Sequence, residues 1–192
     1  MPIHPSADVH PSADVWHLSQ LREGVKVGED VVIGRGVYIG AGVQIGERCK
    51  IQNYALVYEP AVVGPGVFIG PAVVFTNDKH PRAVLPSGAK KMNSDWVPVG
   101  VVVGEGASIG ANSVCIAPLV IGKWSMVAAG SVVVRDVHDF ALHAGNPAKH
   151  VGWVGKSGER LIMDDTADNV FVSPVDHSRY ELVDQRLVEK TE

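Results

Sequence analysis

Every sixth residue of this chain is aliphatic from Ile3 to Ile69: Ile3, Val9, Val15, Leu21, Val27, Ile33, Ile39, Ile45, Ile51, Val57, Val63 and Ile69. The pattern returns at Val97 and runs through Val103, Ile109, Cys115, Ile121, Val127 and Val133. Four places after these stand small or medium residues, among them Ala7, Ala13, Val25, Val37, Cys49, Ala55, Ala107, Ser113 and Ser131. Neither a helical period of 3.6 nor strand alternation of two produces a strict period of six. One short strand plus one turn does, with the aliphatic residue and the small residue both facing inward. Glycines such as Gly28, Gly34, Gly40, Gly46, Gly104 and Gly110 follow the aliphatic position, where turns need a residue with little steric demand. Three units close a triangular coil, and a coil buries its inner face only by stacking on others. The pattern therefore predicts an all-β chain, a parallel β-helix of roughly six triangular coils.

The interval from Phe75 to Trp96 does not divide by six, so the phase is lost there and then resumed. A stiff frame can absorb such an interval only as a loop, and loops on stiff frames are where sites are built. This one, an insertion over 76–96, carries Asn77, Asp78, Lys79, His80, Arg82, Lys90, Lys91, Asn93 and Asp95. The repeat ends near residue 152, and 153–192 reads as a tail that caps or packs on the β-helix. Phe171–Val172 and Tyr180–Leu182 read as short strands, and Glu181–Glu189 equally as a strand or a brief amphipathic helix.

A length of 192 residues suits one domain plus that tail. The net charge of −4 gives no basic footprint for nucleic acid. Cys49 and Cys115 fall on inward positions, which predicts buried thiols rather than a disulfide framework. The first residues lack a charged segment followed by an apolar one, and the long uncharged stretch after Pro60 keeps its prolines and glycines in repeat phase. No signal peptide and no membrane span are expected, hence a cytoplasmic location. Regular threonine ranks, which a β-helix used as a flat binding surface would present, are missing, since only Thr76, Thr166 and Thr191 occur. The histidines show no paired spacing of the kind a zinc site needs, so no metal is expected.

Hexads followed by Gly145-Asn146-Pro147-Ala148-Lys149 resemble the left-handed β-helix acyltransferases, and the left-handed sense is taken from that resemblance. Val15-Trp16-His17, Lys50-Ile51-Gln52-Asn53, Val74-Phe75-Thr76-Asn77 with Pro81-Arg82, and Val151-Gly152-Trp153 resemble one branch of them. That branch is the nucleotide-sugar 3-amino N-acetyltransferases, of the UDP-2-acetamido-3-amino-2,3-dideoxyglucuronate type. The resemblance covers about residues 3–161. It implies acetyl-CoA as co-substrate and acetylation of the 3-amino group of a UDP- or dTDP-linked amino sugar, for surface polysaccharide synthesis. It also implies a homotrimer whose active sites lie between subunits.

Carried over residue by residue, Asn77 positions the sugar amine. An amide accepts a hydrogen bond and orients a lone pair but is no useful base. An amine flanked by oxygen-bearing carbons titrates at about 8, like an α-amino group, so a strong protein base is not required. His80 is the competing candidate, the general base if the acceptor were a sugar hydroxyl. On the sugar-nucleotide side stand Gln52, Asn53, Tyr58 and Arg82, the last suited to a carboxylate or a diphosphate. On the coenzyme side, Gly110, Ala111, Ala128 and Ala129 allow close approach of a pantetheine arm. Pro147 could pack against the adenine, and Lys149 could neutralise a phosphate.

Overall fold

The computed structural model describes residues 3–190 and is a parallel β-helix with an antiparallel tail sheet. Almost every hexad becomes a strand of two residues followed by a turn, because each unit spends its remaining residues rounding a corner. The first face stacks Asp8–Val9, Lys26–Val27, Gln44–Ile45, Val62–Val63, Val101–Val103 and Leu119–Ile121. The second stacks Asp14–Val15, Val32–Ile33, Lys50–Ile51, Phe68–Ile69, Ser108–Ile109, Met126–Val127 and Ala141–Gly145. The third stacks Gln20–Leu21, Tyr38–Ile39, Leu56–Val57, Val74–Phe75, Val114–Cys115 and Val132–Val133. The chain visits the faces in that order, so residues eighteen apart lie one above the other. Single bridges, Ile3 with Leu21 and Ile121 with Val137, extend the ladders past the six strands counted on two of the faces.

The core is the inner column of those strands. Ile33, Ile39, Ile51, Ile69, Ile109 and Ile121 are fully buried, and the expected small partners Val25, Val37, Cys49, Ala55, Ala107 and Ser113 lie between them. A polar residue is tolerated inside only where it has a partner. Ser19 Oγ donates to the Gly34 carbonyl at 2.7 Å, and Ser131 Oγ to that of Ala128 at 2.7 Å. Both cysteines are buried and unbridged, and burial pushes the Cys115 thiol up to about 12. The first coils are looser, with Val9 and Val15 only half-buried.

One expectation fails at the end of the insertion. Val97, read as the first inward residue of the resumed repeat, is 83% exposed. The chain leaves the wall at Asn77 and regains it only at Gly100, whose Cα rests against the Pro60 carbonyl; pairing restarts with Val102 and Val103 beside Val62 and Val63. Pro98 has no N–H to offer a ladder, which holds Val97 outside it.

The hairpin of Ala141–Gly145 and Ala148–Trp153 closes the end of the second face, turning a parallel ladder antiparallel. Beyond it the strands Ile162–Met163, Val170–Val172, Arg179–Val183 and Arg186–Glu189 form a separate four-stranded sheet. Residues 181–189 are thus a hairpin and not a helix. Asp184 and Gln185 both take positive φ (48° and 61°), as a two-residue turn matching strand twist requires. Tyr180, Leu187 and Leu161 bury themselves with Phe140, fringed by Trp124 and Trp153, so the tail packs on the flank of the last coils. Among the described residues no helix is long and apolar enough to cross a membrane.

Candidate active site

The three corners of the triangle are not alike, and the residues singled out by sequence divide between two of them. Counting by eighteen places Tyr58 and Asn77 on the corner between the third face and the first. It places Gln52, Asn53, Gly110, Ala111, Ala128 and Ala129 on the corner between the second face and the third. The hairpin turn holding Pro147 ends that second column, and Lys149 follows it opposite Ala144. Within one chain the structure gathers all six coenzyme-side candidates, but it separates Gln52 and Asn53 from Tyr58, Asn77, His80 and Arg82.

The corner between the third and first faces is where the insertion begins. Phe75 is buried in the wall, and Thr76 still belongs to it: its amide donates to the Cys115 carbonyl at 3.0 Å, and its hydroxyl accepts from the Ala117 amide at 3.0 Å. Asn77 is the first residue to leave. Its carbonyl accepts from the returning Val99 amide at 2.9 Å, which pins both ends of the loop, and no bond engages its side-chain amide. The loop holds its own shape. Asp78 pairs with Lys91 at 3.0 Å and its carboxylate also accepts from the His80 amide at 2.8 Å. The Lys91 hydrogen bond holds the Asp78 carboxyl below the usual range, and the Lys91 ammonium stands 5.6 Å from the centre of the Trp96 ring. His80 itself is exposed, as is Arg82, whose guanidinium donates to the Pro81 carbonyl at 2.9 Å.

One residue at this corner has no counterpart among the sequence-derived candidates. Glu59 lies one tier below Asn77, because Val57 pairs with Phe75 and each is two residues further on. Its Oε2 is buried without a hydrogen-bond partner, the one such atom found among the described residues. The side chain folds back along the wall over Gly40, where any Cβ would collide with that oxygen. Leaving a carboxylate oxygen buried and unpaired costs several kcal/mol, on the order of what a buried polar group forfeits without a hydrogen bond. A fold tolerates this where a ligand supplies the donor. The sequence held a hint: Glu59 stands eighteen residues before Asn77, one full coil.

The opposite corner is built from backbone. A Cβ on Gly110 would collide with the amide of Ala129 on the next coil, so that coil sits directly upon it. Alternate amides are used: Gly110 donates to the Val127 carbonyl at 2.8 Å, Ala128 to that of His143 at 2.9 Å and Gly130 to that of Ala111 at 2.8 Å, whereas no bond engages the amides of Ala111 and Ala129. What remains is a smooth track of small side chains. Asn53 is committed here to structure, its Oδ1 accepting from the Arg35 amide at 2.8 Å. Near the hairpin, His143 and His150 face each other at 5.9 Å between ring centres, and His150 lies 4.5 Å from Trp153. Desolvation lowers the pKa of both imidazoles. Among the described residues no group of three or more histidine, cysteine or acidic side chains converges as metal ligands.

Comparison with known proteins agrees with this architecture. The bacterial transferase hexapeptide model (six repeats) matches residues 42–77, and the hexapeptide repeat of succinyl-transferase matches 24–54 and 100–135, neither running through the insertion. A dTDP-3-amino-3,6-dideoxy-alpha-D-galactopyranose 3-N-acetyltransferase of Aneurinibacillus thermoaerophilus is 53% identical over 60 residues, 31% of each chain. A histidine-to-alanine variant of GDP-perosamine N-acetyl transferase from Caulobacter crescentus was solved with CoA and GDP-perosamine. It is 33% identical, covering 78% of this chain and 55% of its own, with a TM-score of 0.53. A hexapeptide transferase family protein from Anaplasma phagocytophilum shares the fold, with a TM-score of 0.63 at 22% identity over 79% and 81% of the two chains. The matched stretches thus span about a third to about half of the first two relatives. By its repeats and its stacked triangular coils the chain carries the hexapeptide repeats of bacterial transferases, and over part of their length it is similar to sugar N-acetyltransferases.

Proposed function

We propose that the protein transfers the acetyl group of acetyl-CoA to the 3-amino group of a nucleotide-linked amino sugar. The observation that carries this reading is the place of Glu59 and Asn77 on adjacent tiers of one corner: a carboxylate with an oxygen lacking a partner, folded over Gly40, and one tier up a side-chain amide that no bond engages. An amine is the acceptor that suits both. Its N–H groups give the carboxylate a donor, and the Asn77 side-chain amide oxygen takes another while the lone pair faces the thioester. Nitrogen then attacks the thioester carbon, the C–N bond forms, the C–S bond breaks and the released proton ends on the coenzyme thiolate. Glu59 holds the amine as it loses charge, which lowers the demand for any further base. The relatives support the substrate class: one acts on a dTDP-linked 3-amino sugar, and another was crystallised with CoA and a GDP-linked sugar.

The two corners make one site if neighbouring copies face each other, as in a homotrimer. One copy then offers Glu59 and Asn77, and the next offers the small-residue track at Gly110, Ala111, Ala128 and Ala129, with Pro147 and Lys149 at its end. That arrangement accounts for Gln52 and Asn53 lying on the coenzyme-side corner. His80, exposed on the loop, serves as a substrate contact; as the base of an O-acetyltransferase it would lack the use for Glu59 that an amine provides. The product is an acetamido sugar nucleotide suited to surface polysaccharide synthesis. The test is release of coenzyme A thiol across UDP- and dTDP-linked 3-amino sugars, their 4-amino isomers and their hydroxyl counterparts. Release with the 3-amino compounds is expected; turnover of hydroxyl acceptors alone would overturn the reading.

A further inference from the structure

The corner that holds Glu59 continues toward the first coils, and its side chains change character there. Arg22 donates from Nε and Nη2 to the two carboxylate oxygens of Glu23 at 3.0 and 3.1 Å. Its Nη1 donates to the hydroxyl of Tyr38 at 3.4 Å. Tyr38 in turn lies against Tyr58, with ring centres 5.1 Å apart and planes at 45°. Gly40, between the tiers of Arg22 and Tyr58, has no side chain of its own, and the Glu59 carboxylate folds into the space over it. Leu21, Ile39, Val57 and Phe75 pair in succession, so Arg22 stands three strand spacings, roughly 14 Å, from the level at which Asn77 leaves the wall.

We propose that Arg22, with the hydroxyls of Tyr38 and Tyr58, binds the diphosphate of the nucleotide-linked substrate, which therefore runs along this corner toward the N-terminal coils. The inference rests on the amino-sugar reading above and fixes the direction of the substrate within it. Electrostatics set that direction. The C-terminal tiers belong to the coenzyme, and a diphosphate laid along the corner past the Glu59 carboxylate needs a cation beside it. Along the corner in the other direction Arg22 is the cation available, and it is already oriented. Three of its five N–H donors are used by Glu23 and Tyr38, leaving two aimed elsewhere, and a guanidinium matches a phosphate oxygen pair in shape as well as charge. Arg82 is the rival cation, but it sits on the exposed loop and bonds its own backbone.

Calorimetric titration of the full-length protein with UDP and with dTDP tests this directly, since neither probe needs acetyl transfer. Arg22→Ala is expected to weaken nucleoside diphosphate binding about tenfold or more, and Tyr38→Phe about threefold, while acetyl-CoA binding stays within twofold. Glu23→Gln, which releases Arg22 from its ion pair without altering it, is expected to tighten the same binding about twofold or more; a purely structural ion pair would give no such gain. In steady-state kinetics Arg22→Ala raises KM for the sugar nucleotide more than it lowers kcat. Wild-type protein that binds neither diphosphate, or Arg22→Ala and Glu23→Gln variants that bind like wild type while Arg82→Ala loses binding, would overturn the proposal. Protein that binds UDP or dTDP through Arg22 yet acetylates no 3-amino sugar would leave this subsite standing and remove the amino-sugar reading instead.

Discussion

Two corners flank the third face of this β-helix, and they solve opposite problems with the same repeat. The corner that carries Gly110, Ala111, Ala128 and Ala129 is short of side chains, and every second amide along it is bonded coil to coil, those of Ala111 and Ala129 staying open. The corner that carries Arg22, Tyr58, Glu59 and Asn77 is crowded with polar groups, one of them a buried carboxylate oxygen without a partner. A smooth track with open backbone amides suits a long flexible ligand held by shape and by the main chain. An unsatisfied pair suits a reacting group that must be held by particular atoms. Evolution of a repeat toward function shows here as the place where the repeat stops being well paired.

The largest effect expected from breaking this contrast is at Asn77. Asn77→Ala should lower kcat by about a hundredfold, the scale of a lost transition-state hydrogen bond, and leave Tm unchanged because no structural bond uses that side chain. Wild-type turnover in this variant would contradict the assignment. Glu59→Gln should cut kcat/KM about tenfold, since one acceptor oxygen becomes a donor that an amine cannot use; unchanged kcat/KM would remove Glu59 from the site. On the other corner, Ala128→Leu should raise KM for acetyl-CoA about tenfold with the amino-sugar KM little changed, as expected when a groove used for close approach is filled. His80→Ala should change kcat less than about threefold, because the acceptor amine is partly neutral near pH 7; complete loss with substrate binding intact would move the reading toward a histidine base.

The smallest effect concerns the hairpin at the end of the coenzyme-side corner. Desolvation lowers the pKa of His143 and His150 in the folded chain. Below the unfolded pKa of about 6.5 the unfolded chain then binds more protons than the folded one, so stability falls as pH drops from 7 toward 5. Thermal melts across that range should show Tm declining, and a His143→Gln, His150→Gln double variant should show a shallower decline. An equal slope in the two proteins would remove the histidines from the account.

Much of this was legible beforehand, and what was missed has a common physical cause. A period of six specifies the coils because an inward aliphatic and an inward small residue are all the core requires, and Ile33, Ile51 and Ile109 sit where the period puts them. The break in phase located the loop, though Val97 kept the phase by coincidence and lies outside the wall. Glu59 was invisible because a glutamate in a turn is ordinary; its meaning lies in Gly40, which its side chain covers, and in the tier of Asn77 above, positions nineteen and eighteen residues away. Gln52 and Tyr58 are six apart and look like neighbours in one motif. Six residues is one face of a triangle, however, so they belong to different corners.

The account stands on the two corners meeting between copies to make one site. Co-expression of an Asn77→Ala chain with an Ala128→Trp chain, each expected to be nearly inactive alone, tests this by the rate of acetyl transfer to a 3-amino sugar nucleotide. Random mixing leaves one intact corner of each kind facing the other at about a quarter of the interfaces, so about a quarter of wild-type activity is expected. Activity no greater than the sum of the two separate variants would show that each chain works alone, and that the corners do not meet.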